Sequence, residues 1–425
     1  MKYHLWTIGC QMNQADSWRA GEGLDSLGWQ STPEPEEADL VLLNTCVVRQ
    51  SAEDKVYGRL GSLRPLKRQN PQAAIVVMGC LVTEDTIALE QTFPFVDLFL
   101  RPSDVEGLIG FASQRWGTHS SSEAVATQTV PVCCYVPVME GCDNHCTYCI
   151  VRLRRGRERS RPTEIIVEEV RRLVQRGARE VTLLGQNVDA YGRDLPGHPD
   201  LADLLRVVHE VDDLWRIRFL TSHPSDMSER IIDAVAELDK VCEHMELPVQ
   251  SGHDVTLKRM ARGYTVGEYR RLLDRIRERV PGASVATDVI VGFPGETKEH
   301  FRATYDLLAE ERFDVVHVAA YSPRPGTPAA RLHDDVPALE KEHRRRLVEE
   351  LQQQIAGEIN NRLLKSTAEV LVEEKHKGKW KGRTRSNKLV FFEDGSEWRG
   401  KLAQVDITWA GPWSMQGEVR ASHPG

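Results

Sequence analysis

The chain has 425 residues, of which 40% are hydrophobic and 28% charged, so it is long enough for two or three folded domains. Its net charge of −8 argues against a protein that coats nucleic acid with its whole surface. No membrane span is evident in the sequence. The N-terminal MKYHLWTIGC has the periodicity of a strand and no uninterrupted apolar region, so it does not predict a signal peptide. Nine cysteines are an odd number, and their clustering favours reduced thiols in the cytosol over a disulfide framework.

The first block of the chain, to about residue 115, alternates apolar runs with helical patterns. The runs HLWTIGC, ADLVLLNTC, AAIVVMGC and FVDLFL predict buried strands, and the helical patterns lie near residues 15–27, 52–69 and 83–91. Such alternation predicts a small parallel sheet covered by helices, hence an α/β fold.

Cysteines end the first three of these strands, at Cys10, Cys46 and Cys80, which we call the dispersed set. Parallel strands would bring all three thiols to one carboxyl edge, where open α/β sheets bind ligands. The alternative is three unconnected buried cysteines, since free cysteine is commonly buried.

A polar stretch, GTHSSSEAVATQT, predicts a linker, and the alternation of strands and helices starts again near Val132. The strand candidates are CCYVPVM, EVTLLGQNV, WRIRFLTS, HMELPVQSG, SVATDVIVGFPG and FDVVHVAAYSP. Six strand-helix units predict a partial (β/α)6 barrel, with the chemistry in the loops at the carboxyl ends of the strands.

The loop MEGCDNHCTYC follows the first barrel strand and carries Cys142, Cys146 and Cys149, which we call the compact set. Three soft thiolates at this spacing suit three corners of a 4Fe-4S cube and leave the fourth iron open. Structural zinc is the alternative, although only His145, inside the loop itself, offers a nearby fourth ligand. The other cysteines, Cys133, Cys134 and Cys242, are expected to be structural.

A charged helical pattern from Ala338 leads out of the barrel, and the remaining chain is β-like. The runs AEVLVEE, KLVFFED, KLAQVDITWA and SMQGEVRA predict a small antiparallel β-barrel of OB-like shape.

Two basic segments stand out in an otherwise acidic chain. Lys375–Lys388 holds seven Lys or Arg and no acid, with Trp380 between lysines and Phe391 and Phe392 close behind. The segment Arg152–Arg161 holds six arginines and one glutamate. Basic side chains interleaved with aromatic ones suit phosphate contacts and base stacking. A solvated face is the alternative for either run, and two runs on one chain favour an RNA or DNA substrate.

The loop GCDNHCTYC resembles the cluster loop of the radical S-adenosylmethionine (SAM) superfamily. Together with the dispersed set and the basic C-terminal barrel, it makes the whole chain similar to the methylthiotransferases, whose last domain is called TRAM. The segments GCQMNQADS, NTCVVRQSAEDKVYGRLG and GCDNHCTYCIV, with RGRERSR after them, are most similar to the members that act on N6-dimethylallyladenosine in tRNA. After Cys149 this chain reads IVRLRRG where the family usually has IVPYTRG, which adds positive charge.

The resemblance implies three domains: a methylthiotransferase domain at 1–118, a radical SAM domain with its helical exit at 131–362, and a TRAM domain at 363–425. It implies a radical-generating 4Fe-4S cluster on the compact set and an auxiliary 4Fe-4S cluster on the dispersed set. It also implies SAM contacts from strand-end and loop residues, for which turn formation is the alternative. These residues are Tyr148, Arg161, Gly185, Gln186, Gln250, Ser251, Val291 and Gly292.

The activity that the resemblance implies is the addition of a methylthio group to C2 of the modified adenine beside the anticodon. One SAM would methylate a sulfur on the auxiliary cluster, and a second SAM would be the source of the radical. The implied partners are the tRNA anticodon stem-loop, gripped by the two basic segments, and a cytoplasmic electron donor such as a flavodoxin or ferredoxin.

Two alternatives stay within the family: methylthiolation of threonylcarbamoyladenosine in tRNA, or of an aspartate in a ribosomal protein. GCQMN and NTCVVR favour dimethylallyladenosine, because the threonylcarbamoyl group more often shows GCKVN and NTCTVT. An alternative of another class is a non-catalytic iron-sulfur RNA-binding protein. The strand-end sequences LLGQNV and DVIVGFPGE argue against it, since a binding module has no need of them.

Overall fold

The computed structural model describes residues 1–47, 50–117 and 129–420, and the chain divides into two compact units. The first unit comprises Met1–Thr129, Glu140–Asp143 and Ile150–Glu158, and the second comprises Val130–Met139, Asn144–Cys149 and Arg159–Gly425. Most of the predicted linker, at 118–128, lies outside the described residues.

The first unit is built on one parallel sheet in the strand order β2-β1-β3-β4-β5. The strands are β1 (Lys2–Thr7), β2 (Gln30–Ser31), β3 (Leu40–Thr45), β4 (Ala74–Gly79) and β5 (Leu98–Leu100). The helices are α1 (Gln11–Ser26), α2 (Gln50–Gln69), α3 (Ile87–Thr92), α4 (Val105–Trp116) and α5 (Val151–Arg155). The prediction of a small parallel α/β sheet is confirmed.

Every residue of β3 and β4 is buried, because helices cover both faces of the sheet. On one face α2 packs Val56, Leu60 and Leu63 against the sheet. On the other face α1 and α4 contribute Leu24 and Leu108. This double coverage explains why the strands read as continuous apolar runs without alternation.

The second unit begins with two parallel three-stranded sheets, in the orders β10-β9-β6 and β11-β12-β13. Their strands are β6 (Cys133–Pro137), β9 (Glu180–Leu184), β10 (Arg216–Phe219), β11 (His244–Glu246), β12 (Ser284–Val291) and β13 (Val315–Ala320). Two short strands are β7 (Met139–Glu140) and β8 (Arg159–Ser160). Each of the six predicted strands is present, in agreement with a partial (β/α)6 barrel.

Among the described residues, seven helices follow these strands, and five of them begin at an N-cap side chain that accepts a backbone hydrogen bond. They are α6 (Thr163–Gln175), α7 (Leu201–His209), α8 (Glu229–Glu237), α9 (Asp254–Arg259), α10 (Val266–Arg279), α11 (Lys298–Glu311) and α12 (Ala338–Asn361). At the start of α10, Thr265 and Glu268 form a reciprocal capping box. The longest of these helices, α12, packs along β13 and leads to the C-terminal domain. In the part of the chain that is described, no helix combines the length and the apolarity needed to cross a bilayer.

The C-terminal strands form a closed barrel in the order β14-β15-β16-β18-β17. They are β14 (Thr367–His376), β15 (Lys379–Arg383), β16 (Leu389–Phe392), β17 (Leu402–Ala410) and β18 (Met415–Val419). The barrel prediction is confirmed with two additions. The basic segment supplies an extra strand, β15, and the β16 and β18 pair is parallel whereas the other pairs are antiparallel.

This barrel contacts the amino-terminal ends of the strands of the second unit. Arg216, which is 1% exposed, donates to the carbonyl oxygen of Arg383 across 2.7 Å. Arg218 donates to the carbonyl oxygens of Thr384 and Arg385 across 2.7 and 2.6 Å. The carboxyl ends of the same strands, where the chemistry is expected, therefore stay clear of these contacts.

Candidate functional site

The dispersed set lies at one edge of the sheet in the first unit. Cys10, Cys46 and Cys80 follow β1, β3 and β4, which are neighbours in the sheet. The register continues to the cysteines themselves, since the Cys80 amide donates to the carbonyl oxygen of Thr45 across 2.9 Å. Cys46 and Cys80 are buried, whereas Cys10 is exposed. The three residues thus share an edge that is open on the side of Cys10.

Glycines precede Cys10 and Cys80 for a steric reason. Gly79 has φ +110°, and a Cβ at this position would lie 2.4 Å from the carbonyl oxygen of Thr45. Gly9 has φ +135°, and its Cβ would lie 2.6 Å from that of Cys46. Only glycine allows the backbone to approach this closely, so each GC pair brings its cysteine against the neighbouring strand.

Two buried asparagines fix the start of α1 against the end of β3. The Asn13 amide donates to Asn44 Oδ1 across 2.9 Å and to the carbonyl oxygen of Thr45 across 2.8 Å. The Asn44 amide donates in return to the carbonyl oxygen of Asn13 across 2.8 Å. Sequence reasoning missed this pair; the available signal was a polar residue, Asn44, inside an otherwise apolar strand. The pair holds Cys10, whose thiol donates to Asn13 Oδ1, in place at the sheet edge.

The compact set follows β6, and all three of its thiols are partly exposed. In the first unit the Cys142 amide donates to the carbonyl oxygen of Gly156 across 3.2 Å. In the second unit the Cys149 amide donates to the carbonyl oxygen of Cys146 across 3.1 Å. Thr147 lies between Cys146 and Cys149 in the sequence, and its hydroxyl donates to the carbonyl oxygen of Arg259 across 2.9 Å. The loop is therefore held by backbone hydrogen bonds and by the side chain of Thr147.

A buried cation, Arg262, contacts the compact set. Its Nη1 donates to Cys146 Sγ across 3.3 Å, its Nη2 to the carbonyl oxygen of Pro248 across 2.8 Å, and its Nε to the Tyr264 hydroxyl across 3.0 Å. Arg262 is 5% exposed, and within residues 1–47, 50–117 and 129–420 no carboxylate pairs with it. Buried charges normally have a counter-charge, so this guanidinium indicates an anion in the site. Sequence reasoning missed Arg262, which lies 116 residues from Cys146.

Four of the predicted SAM contacts lie where barrel strands end. The Gly185 carbonyl, after β9, accepts from the Thr221 hydroxyl across 2.7 Å, and Gln186 beside it is partly buried. Val291 ends β12 and is fully buried. Gly292 follows it with φ +71°, and its amide donates to Glu296 Oε2 across 2.5 Å.

The other predicted SAM contacts differ in the hydrogen bonds and ion pairs that they make within the protein. Gln250 has φ +68°, and its amide donates to the carbonyl oxygen of Asp288 across 2.8 Å. Ser251 is fully buried, with its hydroxyl 3.4 Å from that of Thr304. Tyr148 packs against the buried cluster of Met260, Phe293, Tyr321 and Ala329. Arg161 donates to the carbonyl oxygen of Pro137 and pairs with Glu169, both across 2.5 Å, so its charge is already compensated.

A polar network around Asp226 contacts the loop of the compact set within the second unit. Asp226 accepts from Asn187 Nδ2 across 2.8 Å, from Asn144 Nδ2 across 3.5 Å and from Arg193 across 2.6 Å. Burial acts to raise the pKa of Asp226, but the hydrogen bonds from Arg193 and Asn187 outweigh it and lower the pKa. Asn187 Oδ1 is buried and accepts no hydrogen bond from the described residues, so it remains an acceptor for a donor on a ligand.

One group of side chains outside the two cysteine sets has ligand atoms spaced closely enough to bind a single metal ion. In the described part of the chain, only Glu246, Asp288 and His317 form a group of three His, Cys, Asp or Glu ligand atoms all within 4.8 Å of one another. Neither cysteine set has this close spacing. A tetrahedral zinc ion draws its ligand atoms together at about 2.0–2.3 Å from the metal, so the arrangement favours a larger group over the zinc alternative.

The basic segment Lys375–Lys388 is divided between two roles. Strand alternation in β15 turns Trp380 into the barrel core, where it is 4% exposed, and Phe392 is 1% exposed. The expectation that these aromatic rings stack on bases is wrong for both, because they fill the barrel. The side chains of Arg385 and Lys388 pair with Glu243 and Asp314, outside the barrel, each across 2.6 Å, whereas the Arg383 side chain pairs with Glu373 of the barrel itself. Lys375 and Lys377 remain exposed at the other end of the segment.

The second basic segment, Arg152–Arg161, is not one exposed surface either. Arg155 is buried beside Asp16 in the first unit, and Arg161 is held by Glu169 in the second. By contrast, the Arg157 side chain is 79% exposed. These three arginines all have carboxylate partners in the fold, so only the exposed side chains of the segment, such as Arg157, are accessible to a nucleic acid.

Family models match three parts of the chain. Residues 2–101 match the model described as uncharacterized protein family UPF0004, residues 136–308 match the radical SAM superfamily, and residues 362–419 match the TRAM domain.

Relatives are similar over nearly the whole length. A protein of Roseiflexus sp. (strain RS-1) is 50% identical over 99% of this chain and 90% of its own. One of Herpetosiphon aurantiacus is 47% identical over 98% and 97%, and one of Dehalococcoides mccartyi (strain CBDB1) is 49% identical over 98% of each chain. All three are named tRNA-2-methylthio-N(6)-dimethylallyladenosine synthase.

Solved structures share the fold at low identity. The radical SAM methyltransferase TsrM from Kitasatospora setae matches 77% of this chain and 75% of its own, with a TM-score of 0.56 and 15% identity. The cobalamin-dependent radical SAM enzyme OxsB matches 82% and 56%, with a TM-score of 0.52 and 12% identity. With a radical SAM barrel, a TRAM barrel and relatives of about half-identical sequence over its full length, the chain belongs to the radical SAM methylthiotransferases, in the family of the tRNA-2-methylthio-N(6)-dimethylallyladenosine synthases.

Proposed function

We propose that the chain adds a methylthio group to C2 of N6-dimethylallyladenosine beside the anticodon of tRNA, in the cytoplasm. The observation that carries this proposal is the gathering of Cys10, Cys46 and Cys80 at one sheet edge, because a radical SAM barrel alone has no need of a second thiol set. Full-length similarity to relatives of that name supports the choice of substrate.

The compact set is proposed to hold a 4Fe-4S cluster whose open iron binds SAM. Its three thiols are soft donors, are partly exposed and lack the spacing of a single-ion site, so the residues fit such a group. When bound, cluster and SAM supply the radical that removes hydrogen from a carbon beyond the reach of acid-base catalysis. The protein anchors the loop through Thr147 and Asp226, so that the thiols stand in fixed positions.

The dispersed set is proposed to hold an auxiliary 4Fe-4S cluster that provides the sulfur. Cys46 and Cys80 are buried and Cys10 is exposed, so a group held there is shielded on one side and accessible on the other. The Asn13 and Asn44 pair fixes the helix that begins after Cys10 relative to the strands that carry the other two thiols. The residues therefore fit a bulky cluster that must be reached by a substrate.

SAM is proposed to lie between Tyr148, in the loop of the compact set, and the strand ends that carry Gly185, Gln186, Gln250, Ser251, Val291 and Gly292. For the SAM carboxylate, we favour Arg262 over Arg161. Arg161 is occupied by Glu169, whereas Arg262 donates to Cys146 and has no carboxylate partner in the described structure. An anionic ligand group beside the compact set would supply the counter-charge that the buried guanidinium requires.

Binding of the anticodon stem-loop is proposed to use the exposed lysines of the C-terminal barrel. Lys375 and Lys377 are exposed, and Lys379 and Lys381 beside them pair with Glu393 and Glu374. Phosphate contacts of this kind position an RNA without reading its sequence. The target adenine would need to leave its stack to reach the barrel, as single-stranded loops allow. A small electron carrier such as a flavodoxin or ferredoxin is proposed to reduce the radical cluster.

Mass spectrometry of tRNA nucleosides from a strain lacking this gene tests the assignment. We expect 2-methylthio-N6-dimethylallyladenosine to be absent, N6-dimethylallyladenosine to accumulate, and the gene in trans to restore the product. A missing methylthio group on threonylcarbamoyladenosine, or on a ribosomal-protein aspartate, would instead assign the chain to a related reaction. An unchanged nucleoside profile together with bound iron would support the non-catalytic alternative.

A further inference from the structure

Arg155 and Asp16 form a buried ion pair at the edge of the first unit's sheet. Arg155 Nη2 lies 3.4 Å from Asp16 Oδ2, and the two side chains are 3% and 0% exposed. Ser103 completes the arrangement: its hydroxyl donates to Asp16 Oδ1 across 2.8 Å and accepts from Arg155 Nη1 across 3.1 Å. The three side chains therefore hold the guanidinium in one orientation.

Burying such a pair is costly, and replacing it with apolar residues of similar volume is often neutral or stabilising in proteins. The sheet already has an apolar core on each face, built without these residues. The buried pair of Arg155 and Asp16 is therefore better explained by an interaction with a third charged group than by a contribution to the stability of the fold.

The thiols of the dispersed set are the neighbours that offer such a charge. Asp16 lies on α1, the helix that begins directly after Cys10, and the guanidinium that it holds is close enough to Cys80, Cys10 and Glu140 to interact with them electrostatically. Asp16, on the other side, uses only part of the guanidinium's five donors.

We propose that Arg155 is a positioning residue of the dispersed set, whose guanidinium, fixed by Asp16 and Ser103, donates to the Cys80 thiolate and raises the reduction potential of the cluster held there. This inference rests on the proposed function, because it takes the dispersed set to bind an iron-sulfur cluster. Hydrogen bonds to ligand sulfurs and nearby charge are among the factors that set cluster potentials. One added electron increases the negative charge of the site, and a fixed cation in a buried setting stabilises that state more than the oxidised one.

The inference is tested with the full chain carrying Cys142→Ala, Cys146→Ala and Cys149→Ala, so that only the dispersed set can bind a cluster. The measurement is the midpoint potential after anaerobic reconstitution, followed by electron paramagnetic resonance. At a fixed potential we expect Arg155→Met to lower the ratio of reduced to oxidised cluster at least about tenfold, which corresponds to about 59 mV for one electron. Arg155→Lys, which keeps the charge, should restore part of the shift.

Arg157→Met is the matched control, since it removes a positive charge two residues away from a side chain that is 79% exposed. It should leave the potential unchanged, because solvent screens that charge. A fully loaded Arg155→Met protein with the parent potential would overturn the inference.

If Arg155→Met fails to bind iron, a second variant that is expected to shift the reduction potential in the opposite direction tests the inference. Asp16→Asn removes the carboxylate that offsets the guanidinium, so the potential should rise; no change or a fall contradicts the inference. Failure of the proposed function looks different, because the background protein itself would then hold no iron on the dispersed set.

Discussion

The Arg262 guanidinium donates to Cys146 Sγ across 3.3 Å, although 116 residues separate them in the sequence. Arg262 is 5% exposed, so a buried cation lies beside a thiol of the compact set. It leads to a prediction that distinguishes Arg262 from Arg161, the arginine that the family resemblance places among the SAM contacts.

Arg262→Gln should weaken SAM binding about 10- to 100-fold, because a charge-assisted hydrogen bond contributes about 1.5–3 kcal/mol. Calorimetry with the reconstituted protein measures this loss. Decarboxylated SAM provides the sharper comparison: the parent should discriminate against it, and Arg262→Gln should not. Arg161→Gln is the matched control, and a loss of discrimination there instead would move the carboxylate site to Arg161.

The two cysteine sets should be separable by iron content and by reaction. The parent should bind about eight irons per chain, and each triple Cys→Ala variant about four. Replacing Cys142, Cys146 and Cys149 should abolish reductive SAM cleavage. Replacing Cys10, Cys46 and Cys80 should spare cleavage and abolish methylthio product, as measured by nucleoside mass spectrometry. Cys242→Ala, at a buried position outside both sets, should retain both activities.

A parent protein that saturates near four irons would remove the auxiliary cluster from the proposal. Loss of SAM cleavage in both triple variants would contradict the division of labour between the sets.

Lys375→Gln with Lys377→Gln should weaken tRNA binding and flatten its dependence on salt. If both lysines contact phosphates, the slope of log Kd against log salt concentration should fall by about one to two. Filter binding across a salt series measures the slope. The control is Lys365→Gln with Lys401→Gln, two exposed lysines of the same barrel region. Equal effects of the two pairs would indicate a general charge effect and reject a localised contact.

Contact between the C-terminal barrel and the strands of the second unit should weaken in acid. Burial lowers the pKa of His244 to about 3, with help from the nearby cations Arg218 and Lys388, whereas a histidine in the unfolded chain titrates near 6.5. His244 lies 3.3 Å from the Asn387 amide and is neutral at pH 7, so it contributes stability above pH 6.5 that is lost as the pH falls toward 3.

At pH 5 that loss is about 2 kcal/mol. Hydrogen exchange of residues 384–388, corrected for the intrinsic pH dependence, should show it as a lower free energy of opening. His244→Gln should have a flatter response between pH 7 and 5, and an identical response in both proteins would assign the effect to another group.

Much of the architecture was predictable because its signals are local. The buried strands β3 and β4 are continuous apolar runs, and the cysteines that follow them could be placed at one edge from parallel topology alone. Strand β15 was not predicted, because KWKGR carries a single large apolar side chain, Trp380, among charged ones. Barrel closure, and not local preference, makes that segment a strand.

The buried polar residues around the dispersed set were harder to predict, because their interactions are not local in the sequence. Asn13 and Asp16 lie on α1 at positions that look solvent-exposed by composition but are buried. Their partners, Asn44 and Arg155, come from distant parts of the chain, so no spacing rule links them. Polar residues whose partners are remote become visible only once the topology is known.

The nine residues Ile150–Glu158 belong to the first unit although they come after the domain that the sequence assigns to residues 1–118. An N-terminal fragment that ends at residue 118 would therefore lack Arg155 and leave the Asp16 carboxylate buried without its cation. Expressing the N-terminal domain alone would remove residues 150–158 together with the barrel. The N-terminal cysteines are therefore best studied in a full-length chain in which the three cysteines of the compact set are replaced by alanine.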